Sequence, residues 1–506
     1  MSVHPYSSAE LRRSTWHFLS GKMVSGLLTI AILLWLVRLL PVAEYGAYVS
    51  LIAAAELGFA LGDMGLTWAA ARFLPEARLQ ASPKVTHELT WKLLRLQAFF
   101  LFSLAVLAGL TFRILLPSLG LAVSITAALS WVGLIFVEGN GRFLRDGLLG
   151  PLLRQDHVRS SMVIRQALFI GMLGFLVALG QVGLETVLVM ELASSLLAGL
   201  VALFGLMRHC RPLASPLDAS WRAPSTREIW RIALPMYGGR LLTFAYSTQV
   251  FLLLLNRFAG PEAAAVFGFM RSLYEQAARY LPATLLFGLV RPKLVASHVG
   301  GGGMAELSRN ANLAGKLSLF ALMPVVGFSC TGGDSLIGLL SGGKFPDTGL
   351  LFFGFMLALI PFSQRQLLEA VAVTISRASL CTLGSAAGLL VLPLMLWMLD
   401  TGFGSWAGVI ALGGGHLLFT LVVLAGMNSA GYLPDHAGLA KLLLAAAGSA
   451  VAAACLPDFS PVWANVISRA AVAGLAFLVT AWLLGSFSAS EQQGMNRLLG
   501  RRIFHV

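Results

Sequence analysis

The chain has 506 residues, 57% of them hydrophobic and only 12% charged, roughly half the ~25% charge of a soluble globular domain. Mean hydropathy is +0.80, and apolar stretches recur at about 20 residues, the length of helix that crosses ~30 Å of hydrocarbon. This composition excludes a nucleic-acid-binding protein despite a net charge of +13 and a pI of 10.1, and it predicts an all-α polytopic membrane protein.

In chain order, apolar windows between charged or Gly/Pro-rich breaks predict fourteen spans near 17–40, 46–70, 96–112, 120–141, 161–180, 184–207, 232–256, 262–290, 317–333, 348–364, 379–399, 404–426, 442–456 and 463–486. The first follows Arg12 and Arg13, is too long for a signal-peptide core and lacks a small-residue cleavage site, so it reads as a retained span. Placing the N-terminus inside assigns 26 Lys and Arg to one side of the membrane and 4 to the other, with six within spans. That asymmetry follows the positive-inside rule, predicts both termini in the cytoplasm, and accounts for the basic pI without a nucleic-acid partner. Cys210, Cys330, Cys381 and Cys455 share no CxxC spacing and read as free thiols.

The longest inner connection, residues 208–231, contains Pro212, Pro216 and Pro224 and reads as a linker. The expected organisation is an N-terminal lobe over 1–207 (spans one to six), the linker, a C-terminal lobe over 232–428 (spans seven to twelve), and spans thirteen and fourteen with a cytoplasmic tail over 429–506. An offset of 219 residues places Arg38 on Arg257, Tyr48 on Phe267, Glu56 on Glu275 and Arg72 on Arg291. An even number of spans per repeat keeps both copies in one orientation, which predicts two pseudo-symmetric six-helix lobes about an axis along the membrane normal, with a substrate site between them.

Charges inside spans are costly and tend to mark cavities or proton paths. In the eighth span Arg271, Glu275 and Arg279 stand at i, i+4 and i+8, on one helical stripe with net positive charge. Two readings of it stand: an ion ladder between packed helices, or a cavity wall that receives an anion. The seventh span carries Arg240 after Pro235, Gly238 and Gly239, a pattern that suits a bend beside the charge. Lys22 holds nearly the same place in the first span, near enough to the inner surface to snorkel. The candidate anion-binding set is Lys22, Arg240, Arg271 and Arg279. The candidate charge-network or coupling set is Glu56, Asp63 and Glu275. Asp63 runs at a depth where it could pair with Lys22, whereas Glu56 has no base near it in sequence and is a candidate for protonation. Glu138 and Glu191 are further buried acids with no assigned role. DxD and HExxH motifs are absent, the glycine run at 300–303 lacks a following Lys-Ser/Thr, and neither an enzyme activity, a metal nor a cofactor is expected.

Arg38-Leu-Leu-Pro-Val-Ala-Glu-Tyr-Gly-Ala-Tyr48, Gly62-Asp-Met-Gly-Leu66 and Ala71-Arg-Phe-Leu-Pro75 together resemble the polysaccharide transporter family, the O-antigen and exopolysaccharide repeat-unit flippases of the multidrug/oligosaccharidyl-lipid/polysaccharide exporter superfamily. Gly260-Pro-Glu-Ala-Ala-Ala-Val-Phe267 is a looser counterpart, with Ala265 where a Gly is common. The resemblance implies a bacterial inner-membrane flippase that moves undecaprenyl-diphosphate-linked oligosaccharides to the periplasmic leaflet, with membrane lipids and polysaccharide polymerase and export proteins as its surroundings. A cationic cavity suits a diphosphate. Two alternatives remain beside it: a lipid II flippase, and a cation-coupled multidrug exporter of the same superfamily, which would want an acidic, aromatic-lined cavity.

Overall fold

The computed structural model describes residues 8–209, 221–285, 303–488 and 491–492. Cys210, Pro212, Pro216, Arg291 and the first three glycines of the 300–303 run lie outside these residues. All regular structure among the described residues is helical, and twelve helices there are long and apolar enough to cross a membrane.

The helices are α1 Ser8–Leu39, α2 Val42–Gly62, α3 Leu66–Gln80, α4 Pro83–Ser118, α5 Ile125–Arg142, α6 Gln155–Ala178, α7 Leu184–His209, α8 Thr226–Ala245 and α9 Thr248–Tyr280. The short α10 Pro282–Leu285 follows, then α11 Gly303–Ser341, α12 Gly349–Thr374, α13 Ser379–Gly388, α14 Val391–Asp400, α15 Ser405–Asn428, α16 His436–Ala454 and α17 Val462–Leu483. Each of the fourteen expected segments falls largely on helix where it is described; 286–290, the end of the eighth, lie outside the described residues. Two adjustments follow from backbone chemistry. The segment expected over 46–70 is broken at Met64 and Gly65, both at positive φ, so α2 stops at Gly62 and α3 restarts at Leu66. Glycine is required at position 65: its φ is +77°, and a Cβ there would collide with the Ala233 carbonyl on α8. Within α9, Gly260 adopts φ 87° and ψ 172°, which separates 248–259 from 261–280. The helix α8 continues through Pro235 and ends before Tyr246.

The repeat has a local structural signature. The first hairpin breaks at Pro41, in extended backbone, and the second at Gly260, the position 219 residues on.

The chain divides into two compact units, Met1–Gly268 and Phe269–Val506. The first therefore includes α8 and the start of α9 as well as spans one to six. Its interior is built on small residues where backbones approach closely. A side chain at Gly46 would collide with the Pro261 backbone, and one at Gly268 with Val49. One apolar core joins α3, α4, the π-helical turn Phe143–Leu149 after α5, and α8, through Leu74, Leu93, Leu148, Ile229 and Ala233. In the second unit, α11, α12 and α15 share a core through Leu307, Val371 and Phe419. Here α16 and α17 pack on α11, and Lys316, 3% exposed, ties Asp435 at the N-cap of α16 to Glu491 beyond α17.

Candidate functional site

In the first unit, helix termination and polar side chains meet at one end of α2. The turn that ends α2 exposes Asp63 to α8: Arg240 Nη1 lies 3.2 Å from Asp63 Oδ2, Thr67 donates a hydrogen bond to Asp63 Oδ1, and the Tyr237 hydroxyl donates to the Leu61 carbonyl at 2.9 Å. Asp63 is buried while the Arg240 side chain is 41% exposed. Among the described residues, no heavy atom outside the local α8 backbone lies within 4 Å of a Cβ built at Gly238 or Gly239, so open space borders Arg240 along α8.

About two turns back along α2, Glu56 accepts a hydrogen bond from Gln249 Nε2 on α9 at 3.1 Å and faces Arg142 Nη2 at 3.7 Å. The base that Glu56 lacks nearby in sequence thus arrives from the end of α5. The Arg142 guanidinium also stacks over Phe59, 4.6 Å from the ring centroid, and its Nε donates to Glu138 Oε1 at 3.2 Å. From there a buried network runs through the lobe. Glu138 Oε1 also accepts from Arg145 Nη2 at 2.8 Å, and Glu138 Oε2 lies 3.6 Å from Arg165 Nε. Arg165 Nη2 reaches Glu191 Oε2 at 2.6 Å, and Glu191 Oε1 accepts from the Tyr48 hydroxyl at 2.8 Å. Five helices, α2, α5, α6, α7 and the start of α9, meet on this chain of alternating charges. Such alternation is what burial demands, because each ion in a low dielectric needs a partner of opposite sign.

The two acids left without a role by sequence, Glu138 and Glu191, are therefore its centre. Arg142 was legible as an i+4 partner of Glu138, but the positive-inside count absorbs it as a loop residue. Arg145 sits in the π-helical turn, where the wider coil turns it inward to the same carboxylate; such bulges are frequent at functional sites. Asp146, on that turn, is exposed.

In the second unit the stripe on α9 is partly internal. Arg271 Nε donates to Glu275 Oε1 at 2.7 Å, with Arg271 8% exposed, while Arg279 is exposed at the helix end. Beside it, His416 on α15 bridges Tyr274 and Arg365: Nε2 lies 3.4 Å from the Tyr274 hydroxyl and Nδ1 3.4 Å from Arg365 Nη1. A guanidinium can only donate, so Nδ1 is the accepting nitrogen and the proton of a neutral imidazole sits on Nε2. Arg365 also binds Glu369 at 2.9 Å and covers the Phe419 ring at 4.3 Å. The corresponding spans of the two lobes thus each carry a polar core: Tyr48 and Glu56, Glu138 and Arg142, and Glu191 in one, and Tyr274 and Glu275, Arg365 and Glu369, and His416 in the other. Lys22 is half-buried on α1, next to Gly21, which abuts the Arg159 side chain of α6. No cluster of three or more metal-ligating side chains occurs among the described residues.

The polysaccharide biosynthesis protein family matches residues 11–283, whereas no curated protein matches in sequence. Among solved structures, the inward closed conformation of the lipid II flippase MurJ aligns with a TM-score of 0.66 at 11% identity, over 96% of this chain and 99% of that one. An inward-facing multidrug resistance MATE family transporter of the MOP superfamily gives 0.61 at 15% identity, over 82% and 98% of the two chains. A MOP superfamily transporter from Pyrococcus furiosus, described as having a binding pocket of reverse polarity, gives 0.53 at 15% identity, over 83% and 95%. At these identities the likeness carries the fold, and the family match carries the membership. The chain belongs to the polysaccharide biosynthesis protein family and is a multi-pass membrane protein with the fold of MOP superfamily transporters.

Proposed function

We propose that the protein is a flippase for lipid-linked oligosaccharides, moving repeat units on an undecaprenyl diphosphate carrier from the cytoplasmic to the periplasmic leaflet of a bacterial inner membrane, for O-antigen or exopolysaccharide assembly. The observation that carries this reading is the half-exposed Arg240 guanidinium beside open space on α8, in a member of a polysaccharide biosynthesis family. The diphosphate is the part of such a lipid that cannot cross hydrocarbon unaided, and guanidinium groups bind phosphate oxygens bidentately. Lys22, Arg240, Arg271 and Arg279 are the proposed anion-binding residues, with Glu56, Asp63 and Glu275 organising or counterbalancing them. Transport proceeds by alternating access of the two lobes, without enzymatic chemistry, and both termini lie in the cytoplasm by the distribution of Lys and Arg. Polysaccharide polymerase and export proteins are its proposed partners.

A second reading, a lipid II flippase, is favoured by the match to MurJ over nearly the full length of both chains. Its cargo also carries a diphosphate, so the cationic residues serve both readings. Purified protein in proteoliposomes, supplied with fluorescent undecaprenyl-diphosphate oligosaccharide or lipid II in separate assays, tests both. Protection of the oligosaccharide lipid from an external reagent, lost in Arg240→Ala, is the expected result. Transport of lipid II alone would replace the first reading by the second. Transport of organic cations, with neither lipid moved, would refute both.

A further inference from the structure

The buried network of the first unit leaves two polar atoms unmatched at one place. Glu138 and Arg145, whose side chains are 3% and 7% exposed, are joined through Arg145 Nη2 and Glu138 Oε1 at 2.8 Å. The other edge of each group, Arg145 Nη1 and Glu138 Oε2, is buried with no hydrogen-bond partner among the described residues. Arg165 Nε, 3.6 Å from Oε2, brings charge but no hydrogen bond, because its N–H is donated to Ser195 Oγ at 3.0 Å. Both orphans border one notch where α5 packs on α7. A Cβ built on Gly141 of α5 would lie 3.2 Å from Arg145 Nη1, 3.7 Å from Glu138 Oε2 and 3.9 Å from the Gly199 Cα of α7. Around a Cβ built on Gly199 itself, no heavy atom of the described residues outside the local α7 backbone lies within 4 Å. Two glycines thus meet beside a charged donor and a charged acceptor, and neither helix fills the notch with a side chain from these positions.

We propose that the notch between Gly141 and Gly199 is a binding site for one ordered water molecule, which accepts a hydrogen bond from Arg145 Nη1 and donates one to Glu138 Oε2. The chemistry of the two orphans selects this ligand. A small anion could accept from Nη1 but would stand against the Glu138 carboxylate. A metal cation would suit Oε2 but would face the guanidinium. Water both accepts and donates, and buried water in proteins characteristically bridges polar groups that side chains leave unpaired. A buried donor or acceptor without a partner loses its hydration and gains nothing in return, so the site completes the hydrogen bonding of the network. It lies apart from the proposed anion-binding residues and stands whether or not the cargo is a lipid diphosphate.

Two variants at Gly141 separate the water from the space it occupies. Both add the same carbon to the notch and displace the water, but Gly141→Ser brings a tethered hydroxyl that can accept from Arg145 and donate to Glu138, whereas Gly141→Ala brings neither function. Unfolding of the full-length protein in mixed micelles with increasing dodecyl sulfate ranks them. Gly141→Ala should unfold at less dodecyl sulfate than wild type, and Gly141→Ser should recover most of that loss. Helix propensity alone ranks alanine above serine, so the expected order is the reverse of what a merely structural position would give. Gly141→Ala as stable as Gly141→Ser, or more so, would overturn the site. The wild-type structure, determined at a resolution that shows ordered water, decides the matter even if neither variant folds. A single peak within hydrogen-bond distance of both Arg145 Nη1 and Glu138 Oε2 is the expected result. An empty notch, or the two atoms closed on each other in a direct bidentate pair, would overturn the proposal. A peak that strengthens when bromide replaces chloride in the buffer would assign an anion and overturn it equally.

Discussion

Removing Glu138 tests whether the buried network holds the first lobe together. The carboxylate is 3% exposed and receives Arg145 at 2.8 Å, Arg142 at 3.2 Å and Arg165 at 3.6 Å. Glu138→Leu leaves Arg145, 7% exposed, without its ion-pair partner, and Arg145 Nη1 already has no hydrogen-bond acceptor among the described residues. Leaving one buried ion uncompensated costs about 3–5 kcal/mol. Glu138→Gln retains one acceptor and falls at the lower end, about 3 kcal/mol, or roughly two orders of magnitude in the unfolding equilibrium. Arg142→Gln is the contrasting variant: its exposed side chain leaves Glu138 doubly paired, and the expected cost is below about 1 kcal/mol. Unfolding of the purified protein in mixed micelles with increasing dodecyl sulfate, followed by tryptophan fluorescence, ranks the three. A Glu138→Leu variant within about 1 kcal/mol of wild type, or an Arg142→Gln variant as damaged as Glu138→Leu, would refute the reasoning.

Gly65→Ala should lower thermal stability by more than about 1–2 kcal/mol, since its left-handed backbone alone costs a side chain that much and the added Cβ meets the Ala233 carbonyl; Gly171→Ala, on α6 with open space around it, should melt at or slightly above the wild-type temperature in the same detergent assay. The clasp around Lys316 should be acid-sensitive. Burial pushes the Asp435 carboxyl up, but the hydrogen bonds from Lys316 and the Gly438 N–H, with the charges of Lys316 and Lys441, outweigh it and hold the group below its ordinary 3.8. A lowered folded value means that the contribution is complete above the unfolded value and is lost as pH falls through the folded one. Amide exchange of the segment after α17 should therefore stay slow from about pH 7 to about pH 5 and quicken below about pH 4, a transition that Lys316→Met should remove; no change down to about pH 3 would contradict the assignment.

Much of the architecture was legible because hydrocarbon imposes it. A helix must satisfy its own backbone in lipid, so length and hydropathy alone point to helix, and among the described residues helix is found in each of the fourteen segments. Breaks were less legible. The residues Gly62-Asp-Met-Gly65 announce a turn within the second span, yet their apolar flanks hide it in a hydropathy window. Gly260-Pro261 marks the end of the seventh span equally well, whereas α8 stays helical through Pro235. The charged sites divide in the same way. Arg271 and Glu275 pair at i+4 as their spacing requires. Asp63 takes Arg240 from α8, and Glu56 takes Arg142 from α5; neither partner is near in sequence.

By itself the sequence determined that this chain lives in a membrane, roughly where its long apolar helices lie, where its motif-bearing hairpin lies and which few residues bring charge into hydrocarbon. All of these depend on one residue's own transfer energy or on neighbours one turn away, and both are written along the chain. Only the tertiary structure decided which charge neutralises which. The Tyr48–Glu191–Arg165–Glu138–Arg142–Glu56 chain joins residues from four helices, and a buried ion takes as its partner whichever opposite charge the packing of helices brings within about 4 Å, at any distance along the sequence.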